Sequence, residues 1–231
     1  MDLPAGFSSC RTNPDAEDSL RMFERIPPRE WRDLLLAWFA ISIAFSLIYV
    51  RDPGGIDLID FLLVFALSAI TAGAGFILHE LAHKFMAMRY GFWAEFRKDN
   101  LMLLVAVVMA ALVGVVFAAP GATMIYGTYI SKDQNGRISL AGPLTNLLLC
   151  IPFGVLAMLP RIAPSVGISF PLLWMIGVVG FQVNAMIAAF NLLPISVLDG
   201  KKVLAWNPLI FGITLAIALV VLYAALTLRF P

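Results

Sequence analysis

The stretch "GAGFILHELAHKF", residues 73–85, places two histidines and a glutamate at the end of a long apolar segment. On a helix, His79 and His83 lie one turn apart on the same face, so both imidazoles can bind one metal ion. Glu80 lies beside them, where its carboxylate can take a proton from a water molecule. This is the H-E-x-x-H pattern of two zinc ligands and a general base, and it contains both histidines of the chain.

A pattern with three fixed positions also arises from ordinary polar residues at a membrane interface. Ionisable groups within a membrane segment cost roughly 2–3 kcal/mol each, so they are rare without a function. The sequence therefore favours a metal site at His79 and His83 over that structural alternative.

The amino-acid composition predicts an integral membrane protein whose surroundings are a lipid bilayer. Of the 231 residues, 61% are hydrophobic and 13% are charged, whereas soluble domains carry about 25% charged residues. The formal net charge of +1 provides no field that attracts nucleic acid, so no nucleic-acid partner is expected. Cys10 lies in a polar segment and Cys150 in an apolar run, so no disulfide is expected.

Apolar runs follow a polar segment, residues 1–33, for which we predict a cytosolic location. Each run is close to the roughly 20 residues that a helix needs to cross a bilayer. We predict an all-α polytopic membrane protein with about five to six transmembrane helices, in which residues 34–231 form a single membrane-embedded domain. The runs are residues 34–50, 57–90, 101–119, 139–159, 170–194 and 207–228.

A short β insertion is predicted after the third run. The segment "TMIYGTYI", residues 123–130, is rich in strand-forming residues, and "KDQNGR", residues 132–137, contains an Asn-Gly turn signal. Residues 120–138 are therefore expected to form a strand or a small hairpin.

The H-E-x-x-H pattern leaves the metal one ligand short, because catalytic zinc usually has three protein ligands. Asp199 follows an apolar run, and Pro194 and Gly200 favour an unwound backbone around it, as in a loop that lines a cavity. We predict that Asp199 is the third ligand and that each chain binds one zinc ion. The other candidates are the two cysteines and three acidic residues that lie in a turn or among surface charges, and we consider them less suited; they are Cys10, Glu95, Asp99, Asp133 and Cys150.

Three segments in chain order resemble the motifs of the site-2 protease family, which are intramembrane zinc metalloproteases. They are "HELAH" at 79–83, "AGPLTN" at 141–146 and "FNLLPISVLDG" at 190–200. The resemblance implies membrane-protein substrates whose transmembrane segments are cut within or near the bilayer. It also implies that the stretch before "AGP" pairs with the substrate as an edge strand, which would hold the substrate extended.

The same resemblance implies roles for individual residues. His79, His83 and Asp199 match the zinc ligands of the family, and Glu80 matches its catalytic base. Asn146 matches an asparagine that helps to hold the substrate or the oxyanion, a catalytic task for which an amide donor near zinc is suited. An asparagine inside a membrane also forms hydrogen bonds between helices, and the sequence leaves both interpretations of Asn146 open.

The run 101–119 decides on which side of the membrane Asp199 lies. If every run spans, three crossings separate the second run from Asp199, which places it opposite the histidines. If 101–119 is re-entrant, Asp199 returns to the histidine side, and more Lys and Arg residues lie on the cytosolic side. We therefore predict five full spans, a multi-pass protein of the cell membrane, and a cytosolic N-terminus and active-site opening.

These features predict an intramembrane zinc endopeptidase that hydrolyses peptide bonds in or near transmembrane segments by zinc-activated water, with Glu80 as the general base. The alternative is a zinc transporter or another metal-binding membrane protein, since such proteins also have polar residues in apolar helices. A transporter needs no base beside its ligands and more often has several ligand pairs along a path. A scaffold that has lost activity is disfavoured, because all four residues of the zinc site are present.

Overall fold

The computed structural model describes residues 26–50, 57–114, 116, 121–127, 129–162, 171–195 and 197–227. Over these residues the chain is mainly helical and contains a two-stranded sheet. In chain order the elements are α1 (Pro28–Tyr49), α2 (Leu58–Ser68), a π-helical turn (Ala69–Gly73), α3 (Ala74–Arg89), β1 (Trp93–Lys98), α4 (Asn100–Val113), β2 (Gly121–Tyr126), α5 (Lys132–Ile162), α6 (Pro171–Asn191), α7 (Asp199–Trp206) and α8 (Pro208–Thr227).

Five helices within the described ranges are long and apolar enough to cross a membrane. They confirm the prediction of an all-α polytopic protein with about five to six transmembrane helices. Large apolar side chains such as Leu63, Leu209 and Val220 are exposed on their outer faces, as expected for surfaces in contact with lipid. The five helices are Pro28–Tyr49, Leu58–Arg89, Lys132–Leu159, Pro171–Asn191 and Pro208–Thr227.

The first helix begins at Pro28, ahead of the apolar run that predicted it. Proline suits the first turn of a helix, because its fixed φ is already helical and its missing N–H would have no partner there. The charged residues 29–33 therefore belong to α1. Residues 1–25 of the predicted cytosolic segment lie outside the described residues.

A π-helical turn directly precedes the helix that carries the histidines. Trp38 Nε1 of α1 donates a hydrogen bond to Ala69 O in this turn, at 3.0 Å. A Cβ atom at Gly73 would lie 2.4 Å from Trp38 Cδ1, so the indole leaves room only for glycine. Trp38 thus holds α1 against the segment that leads into the H-E-x-x-H motif.

The predicted β insertion is confirmed as a small antiparallel sheet, but its second strand lies elsewhere. β2 falls within the predicted residues 120–138, and it pairs with β1, the segment "WAEFRK" at 93–98. The charged residues of that segment had been interpreted as surface charges, and no strand was predicted there.

The turn predicted at residues 132–137 is wrong, because these residues begin α5. Gln134 N–H donates to Ser131 Oγ at 3.2 Å, and Ser131 N–H donates to Gln134 Oε1 at 3.0 Å. This reciprocal capping box satisfies N–H groups that would otherwise lack partners. A Cβ atom at Gly136 would lie 2.2 Å from Trp206 Cβ, so the Asn-Gly pair serves close packing of α5 on α7.

The helix α4 lies between the two strands in the chain, and the strand ends that flank it pair with each other. Lys98, the last residue of β1, pairs with Gly121, the first residue of β2. α4 has 14 residues, which gives it a length of about 21 Å, whereas the hydrocarbon core of a bilayer is about 30 Å thick. This geometry favours the prediction that the run 101–119 does not span the membrane.

A buried ion pair joins α1 to the helix that carries the histidines. Glu30 and Lys84 are 0% and 1% exposed, and Lys84 Nζ donates a hydrogen bond to Glu30 Oε2. The other carboxylate oxygen of Glu30 accepts a hydrogen bond from the Phe96 N–H of β1, at 3.0 Å. The pair therefore fixes α1 and β1 against the helical turn that contains His83.

Replacing Glu30 by glutamine should destabilise the protein by about 3–5 kcal/mol, because Lys84 then stays buried without its counter-charge. Thermal unfolding in detergent measures this effect. Asp60→Asn, which alters an exposed carboxylate on α2, is the control and should change stability by less than about 0.5 kcal/mol. An unchanged unfolding temperature for Glu30→Gln would show that the ion pair does not hold these elements together.

Candidate active site

Two imidazoles of α3 face each other across one helical turn. His79 and His83 are buried, and their Nε2 atoms lie 3.1 Å apart. Asp199 approaches from α7, and its Oδ2 atom lies 3.4 Å from His79 Nε2 and 3.1 Å from His83 Nε2. The structure thus brings together the three residues that the sequence predicts as metal ligands.

Asp199 is the first residue of α7, directly after the break that follows α6. A Cβ atom at Gly200 would lie 2.1 Å from Leu192 O, so glycine allows the loop backbone to pass close to α7. Burial raises the pKa of the Asp199 carboxyl, but interactions with His83 and His79 outweigh burial and hold that pKa below its usual range. The carboxylate is therefore ionised at neutral pH.

The second nitrogen of each imidazole has a fixed partner. His83 Nδ1 donates a hydrogen bond to the Ile138 carbonyl at 2.8 Å, and His79 Nδ1 donates one to Asn146 Oδ1 at 2.6 Å. Because a carbonyl oxygen only accepts, these bonds place a proton on each Nδ1, and in the neutral imidazole that binds a metal the lone pair is then on Nε2. Histidines that bind metals are oriented in this way.

The convergence of these groups fits a zinc ion. Two lone pairs and a carboxylate that meet in a buried site repel each other unless a cation lies between them. One donor atom from each of the three residues lies within 4.8 Å of the other two. Imidazole nitrogens and a carboxylate oxygen are donors that zinc binds in catalytic sites, where a fourth position stays open for water or substrate.

Asn146 is fully buried, and its polar atoms are engaged. Its Nδ2 group donates hydrogen bonds to Gly75 O at 3.2 Å and to Asn184 Oδ1 at 2.8 Å, while its Oδ1 accepts from His79. These contacts favour the interpretation of Asn146 as a link between helices, and the link also orients His79. A direct part of Asn146 in catalysis stays a prediction, because both N–H groups that could hold an oxyanion have protein partners.

Gly142 lets α5 approach the imidazoles closely. A Cβ atom at this position would lie 2.5 Å from the Nε2 atoms of both His79 and His83. The sequence analysis missed this role, although the glycine of "AGPLTN" was a signal for it. It also missed Ile138, whose contribution is a backbone carbonyl and leaves no mark in the sequence.

Glu80 lies beside the ligands and is 8% exposed. Its Oε2 atom accepts a hydrogen bond from Thr123 Oγ1 of β2, at 2.9 Å. Glu80 lines an apolar cavity of about 140 Å³, whose wall includes Phe45 and Phe76. It also lines a more polar cleft of about 120 Å³ that contains Asp199. Glu80 therefore borders both spaces, and so does the adjacent His79.

The other candidate ligands have different roles. The carboxylates of Glu95 and Asp133 pair with arginines, and that of Asp99 caps the first turn of α4. Cys150 lies in a cluster of apolar side chains from α5, α6 and α8. Cys10 lies outside the described residues.

Comparison with known proteins supports the same chemistry. The chain is 41% identical over 189 residues to a Methanocaldococcus jannaschii protein named "Putative zinc metalloprotease MJ0611"; the match covers 82% of this chain and 90% of that protein. The chain belongs to the site-2 protease family of zinc metalloproteases. It is also 30% identical over 173 residues to "Putative zinc metalloprotease Rip3" of Mycobacterium tuberculosis, a match that covers 74% of this chain and 38% of that protein. No family model matches the sequence, and no solved structure matches it.

Zinc is the metal of this site-2 protease, and His79, His83 and Asp199 form the group that can hold it. The five long apolar helices among the described residues make it a multi-pass membrane protein. The predictions of a metalloprotease and of a zinc cofactor are thus confirmed.

Asp199→Ala should lower the zinc affinity by more than about 100-fold, since even the loss of a group that only orients a ligand costs about 10–100-fold. Metal analysis of purified protein should give about one zinc per chain for the wild type and much less for the variant. Glu95→Ala is the matched control and should keep its zinc. Full zinc in Asp199→Ala would mean that another residue is the third ligand.

Gly142→Ala should fold, because alanine favours a helix over glycine by about 1 kcal/mol, yet it should lose zinc, because the methyl group displaces both imidazoles. Gly154→Ala, on the same helix, is the control: its nearest neighbour, the Phe181 ring, would lie 3.4 Å from the added Cβ. Circular dichroism and metal analysis report the two effects separately. Retention of zinc by folded Gly142→Ala would contradict the close approach of α5.

Proposed function

We propose that this zinc metalloprotease is an intramembrane endopeptidase that hydrolyses peptide bonds in or near transmembrane segments of other membrane proteins. The position of His79 and Glu80 carries the proposal. Both lie on the helix Leu58–Arg89, which is long and apolar enough to cross a membrane, and both line the apolar cavity. A site so placed is suited to apolar segments that reach it from the bilayer.

The chemistry combines a metal with one carboxylate. Zinc, when bound, polarises the substrate carbonyl and lowers the pKa of a water molecule from about 15.7 to about 7. The Glu80 carboxylate takes a proton from the attacking water as the water oxygen bonds to the carbonyl carbon. The C–N bond then breaks, and Glu80 passes the proton to the leaving nitrogen, which gives one new carboxyl end and one new amine.

The edge of β2 provides a place for the substrate backbone. In the part of the chain that the structure describes, β2 pairs on one side only, with β1. Residues of β2 also line the polar cleft that contains Glu80 and Asp199. A transmembrane helix must unwind before it can be cut, and addition to β2 as a further strand would hold the unwound segment beside the zinc ligands.

The apolar cavity provides a place for a substrate side chain. Its walls come from α1, α3 and α6, and they include Ile41, Phe45, Phe76 and Ile187. Apolar walls favour an aliphatic or aromatic side chain, since burial of apolar surface is favourable by about 25 cal/mol per Å². Transmembrane segments are rich in such side chains.

We place the N-terminus and the opening of the polar cleft on the cytosolic side of the cell membrane. A small surface pocket beside the cleft is lined by Lys132, Lys201 and Lys202. Lys202 also lines the cleft itself. Positively charged residues near the ends of membrane spans favour the cytosolic side.

Glu80→Gln should reduce cleavage by about 10²–10⁴-fold while zinc stays bound, because the variant loses the general base but no ligand. The assay reconstitutes the protein with single-span reporter peptides and identifies the products by mass spectrometry. Glu95→Gln, which alters a carboxylate on β1, is the control and should cleave at the wild-type rate. Equal cleavage by Glu80→Gln and the wild type would contradict the proposed role of Glu80.

The same proteoliposomes separate a protease from a zinc transporter. A transporter should carry zinc across the bilayer, and Glu80→Gln should keep most of that flux. We expect cleavage without zinc flux in the wild type. Zinc flux without cleavage would overturn the protease and favour the transporter.

A further inference from the structure

One side chain joins the base to the sheet. Thr123 lies in the middle of β2, and its Oγ1 atom is 2.9 Å from Glu80 Oε2 and 3.1 Å from the Glu80 carbonyl oxygen. The hydroxyl hydrogen therefore points at the residue that acts as the base. A hydrogen bond to a charged carboxylate is among the stronger ones in proteins, so this contact can fix the carboxylate in one orientation.

The backbone of Thr123 faces the edge of the sheet that has no partner strand among the described residues. Thr123 lies opposite Phe96 in the antiparallel register. The Phe96 N–H donates its hydrogen bond to Glu30 Oε1 and not to a residue of β2. Phe96 and Thr123 therefore form a non-hydrogen-bonded pair, and in such a pair the N–H and C=O groups of both residues point away from each other. Those of Thr123 point to the far edge of β2, where Thr123 also lines the polar cleft.

We propose that Thr123 is a positioning residue that couples strand addition by the substrate to the orientation of Glu80. The proposal rests on the proposed intramembrane protease function. The backbone of Thr123 pairs with the added substrate strand, while its side chain holds the carboxylate of Glu80. A substrate that docks correctly on β2 thereby also sets the base for proton transfer.

The chemistry of threonine suits this coupling. Its β-branched side chain is stiff about χ1, so the position of the hydroxyl follows the position of the backbone closely. A strand that pairs with β2 restrains the φ and ψ angles of Thr123. The restraint passes through two bonds to the hydroxyl and from there to Glu80.

Thr123→Val and Thr123→Ser separate this role from simple packing. Valine keeps the shape and the strand preference of threonine but lacks the hydroxyl, whereas serine keeps the hydroxyl and lacks the methyl group. With the reporter peptides, Thr123→Val should lower kcat by about 10- to 100-fold with KM changed by less than about 3-fold, because the backbone edge is intact. Thr123→Ser should recover most of kcat, and all variants should bind zinc like the wild type.

A matched control tests whether the effect is specific to Thr123. Thr214→Val makes the same exchange on α8, where the hydroxyl bonds to Ile210 O at 2.8 Å, and it should leave kcat unchanged. Wild-type kcat in Thr123→Val would overturn the proposal. Equal losses in the valine and serine variants, or a loss confined to KM, would also overturn it.

Infrared spectroscopy tests the contact without relying on cleavage. The spectrum of each protein minus that of its Glu80→Gln derivative isolates the Glu80 carboxylate band. The band should shift in Thr123→Val and return in Thr123→Ser, and an unshifted band in Thr123→Val would overturn the proposal. If the wild type cleaves no more than Glu80→Gln, the proposed protease function fails, whereas the band still decides whether Thr123 orients Glu80.

Discussion

The convergence of two imidazole lone pairs and one carboxylate in a buried pocket is the constraint on which the rest of the structure depends. Each Nδ1 donates to an oxygen, so each Nε2 faces the Asp199 carboxylate and, in the neutral imidazole, carries the lone pair. In that form a cation between the three groups stabilises the cluster. The helices of this protein bring three donors from two distant parts of the chain to one point.

The need to bring Asp199 to the histidines explains why the short helix α4 and the two strands lie between α3 and α5. Asp199 follows the histidines by many residues, and an odd number of crossings between them would separate them across the bilayer. The strand ends on either side of the short helix α4 pair with each other, which favours the prediction that the run 101–119 does not span and that the number of crossings is even. The segment that contains α4 is followed by β2, so the same part of the chain also supplies an edge strand beside Glu80.

The buried ion pair of Glu30 and Lys84 holds α1, α3 and β1 together next to this segment. Glu30 binds Lys84 on α3 and the backbone of β1 at once. The outer side of β1 is thereby closed by a side chain, which leaves β2 as the strand with an edge toward the cleft. The scaffold thus has a side at α1 that buried contacts hold and, opposite it, the edge of β2 at which we propose that a substrate strand adds.

Candidate site residues could be predicted from the sequence where the type of side chain and its spacing along one helix are enough to indicate a role. His79, Glu80 and His83 share a helical face whatever surrounds them, and Asp199 stood out because an acidic residue after a proline break in an apolar segment is costly without a role. These predictions needed no knowledge of tertiary contacts.

Features that depend on which elements meet could not be predicted in the same way. The charges of "WAEFRK" hid β1, whose partner strand is separated from it by α4. The capping box at Ser131 outweighed the Asn-Gly turn signal. Gly142 and Thr123 owe their importance to side chains on α3. A glycine such as Gly142 can signal close packing, but a single sequence does not show which distant side chains meet it.

X-ray absorption spectroscopy at the zinc edge of the purified, zinc-loaded protein tests the central claim most directly. The account predicts nitrogen and oxygen neighbours at about 2.0–2.2 Å, with the outer scattering of two imidazole rings and no sulfur. A sulfur neighbour at about 2.3 Å would mean that a cysteine binds the metal. That result would contradict the site formed by His79, His83 and Asp199.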